Sequence, residues 1–444
     1  MPSHQGGAGR DALVSSIRAT GIRAAGIRAA GIRGAGIRAV AMRAAALALA
    51  CALAGCGGGA NLFGGGAPAV EGPAPAPAPA TAVTSAPLGN AGGGITGGTG
   101  GVKVGVILPL SAGGNAGIAG QSMRNAAEMA LAEFSGANIQ LVVKDDGGTA
   151  PGAQQATTKA LDEGAEIILG PLFAHSVTSA KQVARSRGVP MISFSTDSNV
   201  ASSGTYLLSF LPESDVDRII SYAISQNKKS FVALFPNSAY GGVVEAEFNQ
   251  VVAKRGGRVV LVEHYSEDRS KLGEMVKQVA QAAGRGDALF IPDSGEGVGD
   301  IIHALATGGV NLRQFTLLGT GLWADDQRIT ANNMLEGAWF AAPEATGYRS
   351  FAERYRARYH QDPVRQATLA YDAVALIAAL VKTQGQQRFS TDVLTNPSGF
   401  TGIDGVFRFR GDGSNQRGLA VMKVTSSGAQ VVSPAPRNFN GSAI

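Results

Sequence analysis

The sequence predicts an α/β protein built as two doubly wound parallel-sheet lobes. Three observations lead there. From Val102, short apolar runs of strand length alternate with longer amphipathic stretches of helical length, and that alternation means βαβ units on a parallel sheet. The alternation lapses and restarts after Asn227, which means a second sheet. The residues before Val102 carry neither pattern, so the lobes begin there.

In the first run, Val102 to Leu108 is a buried strand bounded by Pro109. A Gly-rich loop leads to a helix with Met123, Ala127, Leu131 and Phe134 on one face. Strand Ile139 to Val143, a helix from Gly152 to Glu163 and strand Ile167 to Leu169 follow. A helix from Val177 to Arg187 then leads to strand Met191 to Phe194. In the second run the strands are Phe231 to Phe235, Val259 to His264, Ala288 to Ile291 and Thr316 to Leu318. The helices between them are Val243 to Lys254, Leu272 to Ala282 and Val298 to Thr307. Two further helices, Tyr348 to Tyr359 and Tyr371 to Lys382, precede a β-hairpin. Its arms are Val406 to Phe409 and Leu419 to Val424, around Gly411-Asp412-Gly413.

The formal charge of +5 is concentrated at the start. The first 55 residues hold seven Arg, no Lys and one acid, a net +6, so the rest carries −1. A near-neutral chain lacks the electrostatic footprint of a nucleic-acid binder. The two cysteines, Cys51 and Cys56, both precede the lobes, which leaves the folded part without a disulfide or a Cys-based metal site. The longest later apolar run, Ala373 to Val381, is too short to span a bilayer.

Arg43, the apolar run Ala44 to Ala52, and Leu53-Ala54-Gly55-Cys56 resemble the signal peptide and lipobox of bacterial lipoproteins. The resemblance implies removal of residues 1–55, acylation of Cys56 and membrane attachment through the lipid. The apolar run cannot span a membrane itself; acyl chains contribute roughly 0.8 kcal/mol per buried methylene. Gly57 stands where Asp usually signals inner-membrane retention in this class, which implies a periplasmic protein held at the outer membrane. The five-residue repeat over 16–45, as in Gly21-Ile22-Arg23-Ala24-Ala25, fits neither helix nor strand. It is either a basic extension of the signal or lies upstream of a true start at Met42. Residues 56–101 are dominated by Gly, Ala, Pro, Ser and Thr, too poor in apolar side chains to offset their ordering entropy, and read as a disordered tether.

From Val102 to Val424 the chain resembles the type I periplasmic binding proteins of the leucine/isoleucine/valine-binding kind. The resemblance rests on the order and spacing of Val104-Gly105-Val106-Ile107-Leu108-Pro109-Leu110-Ser111, Val143-Lys144-Asp145-Asp146, Ile168-Leu169-Gly170-Pro171, Val189-Pro190-Met191-Ile192-Ser193, Tyr240-Gly241 and Ile403-Asp404-Gly405. It implies two lobes joined by three crossings, with a ligand trapped between them: 102–224 and 343–395 in one lobe, 225–342 and 396–425 in the other, and a tail over 426–444. Open parallel sheets bind ligands beyond the carboxyl ends of their strands, which places the site in the same cleft.

By the same resemblance, Phe173, Ala174, His175 and Ser176 occupy the loop that holds a ligand carboxylate, with its usual hydroxyl run reduced to Ser176. Ser195, Thr196 and Asp197 match the next ligand loop, Tyr240 an aromatic cover from the second lobe, and Asp293 and Ser294 a further contact. Gly321 stands where amino-acid binders often carry an acid for the ligand ammonium; Asp293 or Asp197 would have to substitute. Trp323 follows a strand end and is either a packing residue or a ligand platform.

Asp145 and Asp146 read as caps of the following turn. Gly114, Gly117 and Gly120 lack the G-x-G-x-x-G spacing of a dinucleotide site. There is no H-E-x-x-H, no G-x-S-x-G and no phosphate-loop Gly-Lys pair, and the five His are scattered. The expectation is a non-enzyme without metal or cofactor. Two roles remain. One is a solute receptor that closes on an amino-acid-like ligand or cell-wall fragment and delivers it to an ABC permease. The other is a lipoprotein that activates a penicillin-binding protein through protein contact.

Overall fold

The computed structural model describes residues 101–439, except 267, 269–271 and 325. The signal peptide, the repeat, Cys56, the tether up to residue 100, and residues 440–444 of the tail lie outside the described residues.

The first sheet is built from β1 (Val102–Leu108), β2 (Ile139–Asp145), β3 (Ile167–Leu169), β4 (Met191–Ser193) and β5 (Thr205–Leu207), in the order β2-β1-β3-β4-β5, all parallel. Helices α1 (Gly114–Glu133), α2 (Ala150–Asp162) and α3 (Ala174–Ser186) make the crossovers. Alternation along β1 explains the layering. Val104, Val106 and Leu108 join the core that holds Met123, Ala126 and Ala127 of α1, while Ile107 joins Ala153, Ala156 and Ala180 of α2 and α3. Phe134 does not share the buried face of Met123 and Ala127; it sits at the helix C-cap and is over a third exposed.

The second sheet follows α4 (Pro212–Ser225). It contains β6 (Ser230–Pro236), β7 (Arg258–Tyr265), β8 (Ala288–Phe290), β9 (Thr316–Gly319) and β10 (Trp339–Ala342), joined by α5 (Ala239–Lys254), α6 (Leu272–Ala282), α7 (Gly295–Thr307) and the short α8 (Gln327–Thr330). The chain then makes α9 (Ala345–Tyr359), α10 (Ala367–Thr383), the one-turn α11 (Thr391–Leu394), β11 (Phe400–Gly402), β12 (Gly405–Phe409), β13 (Asn415–Arg417), β14 (Ala420–Thr425) and β15 (Gly428–Ser433). The second sheet runs β15-β14-β10-β9-β8-β6-β7, with β14 antiparallel to β10 and β15 antiparallel to β14.

Packing moves two boundaries of the sequence partition. Val216, Ile219, Ile220 and Ala223 of α4 share a core with Phe231 and Phe235 of β6, so residues 212–224 belong with the second lobe. Phe407 and Phe409 of β12 share a core with β1 and α10, so the small sheet β11-β12-β13 belongs with the first. The hairpin around Gly411-Asp412-Gly413 pairs β12 with β13, Phe409 opposite Asn415. Residues 420–425 instead cross to the second sheet, and the tail adds β15 to its edge. The chain passes between lobes three times: between β5 and α4, between β10 and α9, and between β13 and β14. Among the described residues, no helix is long and apolar enough to cross a membrane.

Candidate functional site

The carboxyl ends of both sheets open onto one cleft of about 830 Å³. From the first lobe it is walled by Leu172 and Phe173 after β3, Phe194 and Thr196 after β4, and Phe210 after β5. From the second come Tyr240 at the start of α5, Leu322 and Trp323 after β9, and Phe340 of β10. The walls are mainly apolar and aromatic, with a few polar groups, as small-molecule sites commonly are.

Phe173, Thr196 and Tyr240, three of the residues singled out from sequence, line this cleft. The Tyr240 hydroxyl lies 2.8 Å from Thr320 Oγ1, and burial pushes its pKa up, so it stays protonated. Trp323 also lines the cleft, 1% exposed and packed against Phe340. The other residues are outside the lining. Ala174 begins α3. The His175 ring stacks on Phe173 and sets its Nε2 2.9 Å from the Gly148 carbonyl. Ser176 is fully buried, its hydroxyl beside the Asp146 carboxyl. Ser195 Oγ accepts the Asp197 N–H at 3.1 Å, and Asp197 Oδ1 accepts the Asn199 N–H at 3.0 Å. Asp293 accepts from the Tyr265 hydroxyl at 2.9 Å and the Ser294 N–H at 2.7 Å. Ser294 caps α7. Short polar side chains at strand–helix junctions satisfy free backbone donors, and these do so here.

Asp145 and Asp146 accept the N–H groups of Gly147 and Gly148, at 2.9 and 2.8 Å. Gly117 and Gly120 let α1 approach its preceding loop: a Cβ on Gly117 would lie 2.0 Å from Ala112 O, and one on Gly120 2.7 Å from Pro109 O. Among the described residues, no cluster of three His, Cys, Asp or Glu could hold a metal ion.

Three charged residues of the lining, Asp215, Asp326 and Arg365, are not among those singled out from the sequence. Asp215, in the first turn of α4, accepts the Gly321 N–H at 2.9 Å through Oδ2. A Cβ on residue 321 would lie 2.8 Å from that oxygen. The acid missing at position 321 thus has a counterpart in space, contributed by a different element, and the glycine makes room for it. Burial pushes the Asp215 carboxyl up to about 7; the Gly321 N–H opposes the rise, Glu213 adds to it and Arg417 opposes it. Part of Asp215 remains open to the cleft, so cleft water moderates the shift.

Arg365 lies between two aromatic rings, 4.5 Å from the Tyr348 centroid and 4.7 Å from that of Phe210. Arg417 also lies 4.7 Å from the Phe210 centroid and donates from Nε to Ser209 O at 2.9 Å. Asn415 Nδ2 donates to Leu207 O and Ser209 O, both at 2.8 Å. The first and third crossings are therefore bound to each other at the cleft floor, and Tyr348 follows the second.

The model of the family described as periplasmic binding protein matches residues 101–429. An uncharacterised protein of Rickettsia prowazekii (strain Madrid E) is 20% identical over 182 residues, 41% of this chain and 48% of that protein. The chain thus spans about half the length of this curated relative. A structure assigned to a branched-chain amino acid ABC transporter of Rhodospirillum rubrum superposes with a TM-score of 0.67 at 18% identity, covering 75% of this chain and 100% of the other. The branched-chain amino acid transporter binding protein LivJ of Streptococcus pneumoniae (strain Canada MDR_19A), in complex with isoleucine, gives 0.52 at 21% identity, over 75% and 100%. A solute-binding protein of an ABC transporter from Rhodopseudomonas palustris BisB5, in complex with 3,4-dihydroxybenzoic acid, gives 0.53 at 19% identity, over 75% and 96%. At these identities the likeness establishes the fold: two α/β lobes with parallel-strand sheets, as in type I periplasmic binding proteins.

Proposed function

The chain belongs to the periplasmic binding protein family, and on that premise we propose that it is a receptor, not an enzyme. It closes its lobes on a small molecule and presents it to an ABC-type permease. The observation that carries this reading is the cleft itself, walled by residues after strands of both sheets. A ligand touching both walls favours the closed arrangement by its differential affinity. Phe173, Thr196 and Tyr240 are its proposed contacts. The family works in the periplasm or outside the cell. Attachment at the outer membrane through lipid on Cys56, with residues 57–101 as a reach of roughly 35–40 Å, is part of the proposal.

Thermal-shift and small-angle scattering titrations with amino acids, aromatic acids, amines and cell-wall peptides test the receptor role. A ligand that raises Tm and contracts the particle is expected. Silence across the whole panel at millimolar concentration overturns it in favour of the second reading. That reading, activation of a penicillin-binding protein, draws on the long tether behind the lipobox, and pull-down of peptidoglycan synthases tests it. For the anchor, mass spectrometry should find lipid on Cys56, and Cys56→Ala should release the protein from membranes. A soluble wild type sinks that claim.

A further inference from the structure

We propose that the cleft receives an amine: a ligand with a protonated amino group at Asp215 and an apolar, aromatic-sized body, rather than a carboxylic acid or a zwitterionic amino acid. The inference rests on the receptor reading and specifies its ligand class. It begins with the charges on the wall. Among the described residues, the lining carries Asp215, Asp326 and Arg365 as its Asp, Glu, Lys or Arg side chains. Arg365 is held by Asp404 through both terminal nitrogens, at 2.9 and 2.5 Å. Asp326 is held by Arg328 Nε and Nη2, at 3.0 and 2.9 Å, and by the Gly295 N–H at 3.1 Å. Asp215 takes the Gly321 N–H and is in no ion pair among the described residues. Asp215 is thus the lining carboxyl without a guanidinium partner at contact distance; burial favours its protonated form, and a ligand ammonium beside it would favour the carboxylate.

The opposite wall agrees. Where the family resemblance implies a carboxylate-holding hydroxyl run, the cleft has Leu172 and Phe173, and Ser176 is buried behind them. Thr196 remains as a hydroxyl on this side. On the first-lobe wall a ligand carboxylate would meet Leu172 and Phe173, the neutral Asn115, Thr196 and Gln366, and an Arg365 already held by Asp404; on the other wall it would meet Asp215. An ammonium would meet Asp215, to which it can donate a charge-assisted hydrogen bond. The volume completes the description. At about 830 Å³, the cleft is near the upper end of the roughly 300–1,000 Å³ that holds drug-sized ligands, and the partly exposed Leu172, Phe173, Phe210, Leu322 and Tyr348 present apolar area to such a body.

Calorimetry with matched probes tests this on the full chain: phenethylamine and tryptamine as amines, 3-phenylpropionate and benzoate as acids, L-phenylalanine and L-isoleucine as zwitterions. The amines should bind at least tenfold more tightly than the matched acid or zwitterion. Asp215→Asn keeps an oxygen for the Gly321 N–H but removes the charge, and should weaken amine binding roughly ten- to hundredfold without lowering Tm. Gly321→Ala, which crowds Asp215, should weaken it as well. Tighter binding of acids or zwitterions, or amine binding unchanged in Asp215→Asn, overturns the amine assignment and leaves the receptor reading intact. Binding of none of the six probes, together with silence of the wider panel, overturns both.

Discussion

Arg365 grips Asp404 through both ends of its guanidinium, the shorter bond 2.5 Å, with the Asp404 carboxylate fully buried. Thr368 Oγ1 adds a donor at 2.7 Å. Removing one partner of a buried pair strands the other charge and typically costs about 3–5 kcal/mol. Arg365→Met should lower stability by that order in urea unfolding, and adding Asp404→Leu should recover a large part of it. If Arg365→Met unfolds at the wild-type urea concentration, the pair contributes nothing net.

A pH dependence follows from Asp215. Its carboxyl is raised to about 7, chiefly by burial, against about 3.9 in the unfolded chain. Between those values the native state holds a proton that the unfolded state has lost. The associated stability is fully present below about pH 4 and disappears as pH rises through 7. The charged and titratable groups around it are Glu213 on its own helix, Tyr240 from α5 and Arg417 from β13. Asp215→Asn should therefore gain on the wild type from pH 4 to 7 and hold a constant advantage above. Asp372, also raised to about 7 by burial and by Asp404, titrates in the same window and remains in both proteins, so it cancels. A difference flat from pH 4 to 8 refutes the assignment.

Gly319→Ala probes the Trp323 wall. The added Cβ would lie 2.1 and 2.2 Å from ring carbons of Trp323, so the indole must move, and it borders the cleft. Overpacking of this kind costs about 1–3 kcal/mol. Loss of stability and of ligand affinity is expected together, with Trp323→Phe relieving part of the first. Wild-type values for both in Gly319→Ala would mean that the indole shifts without cost.

Ser176→Ala separates the buried hydroxyl from the cleft. Ligand affinity should stay within about twofold, because the residue lies behind the wall, whereas Phe173→Ala, which removes lining area, should weaken an apolar ligand by about 1.5–3 kcal/mol. Equal losses in both variants would place Ser176 in the site.

The sequence was most legible where local pattern decides structure. Val102 to Leu108, apolar but for Lys103 and closed by Pro109, has the pattern of a buried strand. Helix α4 was legible but not read: Val216, Ile219, Ile220 and Ala223 are spaced for one helix face, with Pro212 in its first turn. Partner choice was not legible. Phe407 and Phe409 announce a strand, but nothing local says that it joins the first lobe while Val421 joins the second. The family resemblance pointed to Phe173, Thr196 and Tyr240, which stand past strand ends in the cleft lining. Asp197 and Asp293 lie outside the lining, their carboxylates accepting from neighbouring donors. Asp215 and Arg365 escaped because their roles exist only in space: Asp215 meets a glycine 106 positions away.

The three crossings also govern how this chain can be made. Neither lobe is a continuous stretch. The first is unfinished until β12 and β13 arrive, and the second lacks two edge strands until β14 and β15 follow. A ribosome therefore releases most of the polypeptide before either half can close, and contacts between distant segments form slowly. For a family that works beyond the cytoplasm, delay is useful: a late-closing chain remains slack enough to be threaded through a membrane before it sets. A premature stop before residue 415 would leave both halves incomplete, the first without β13 and the second without β14 and β15.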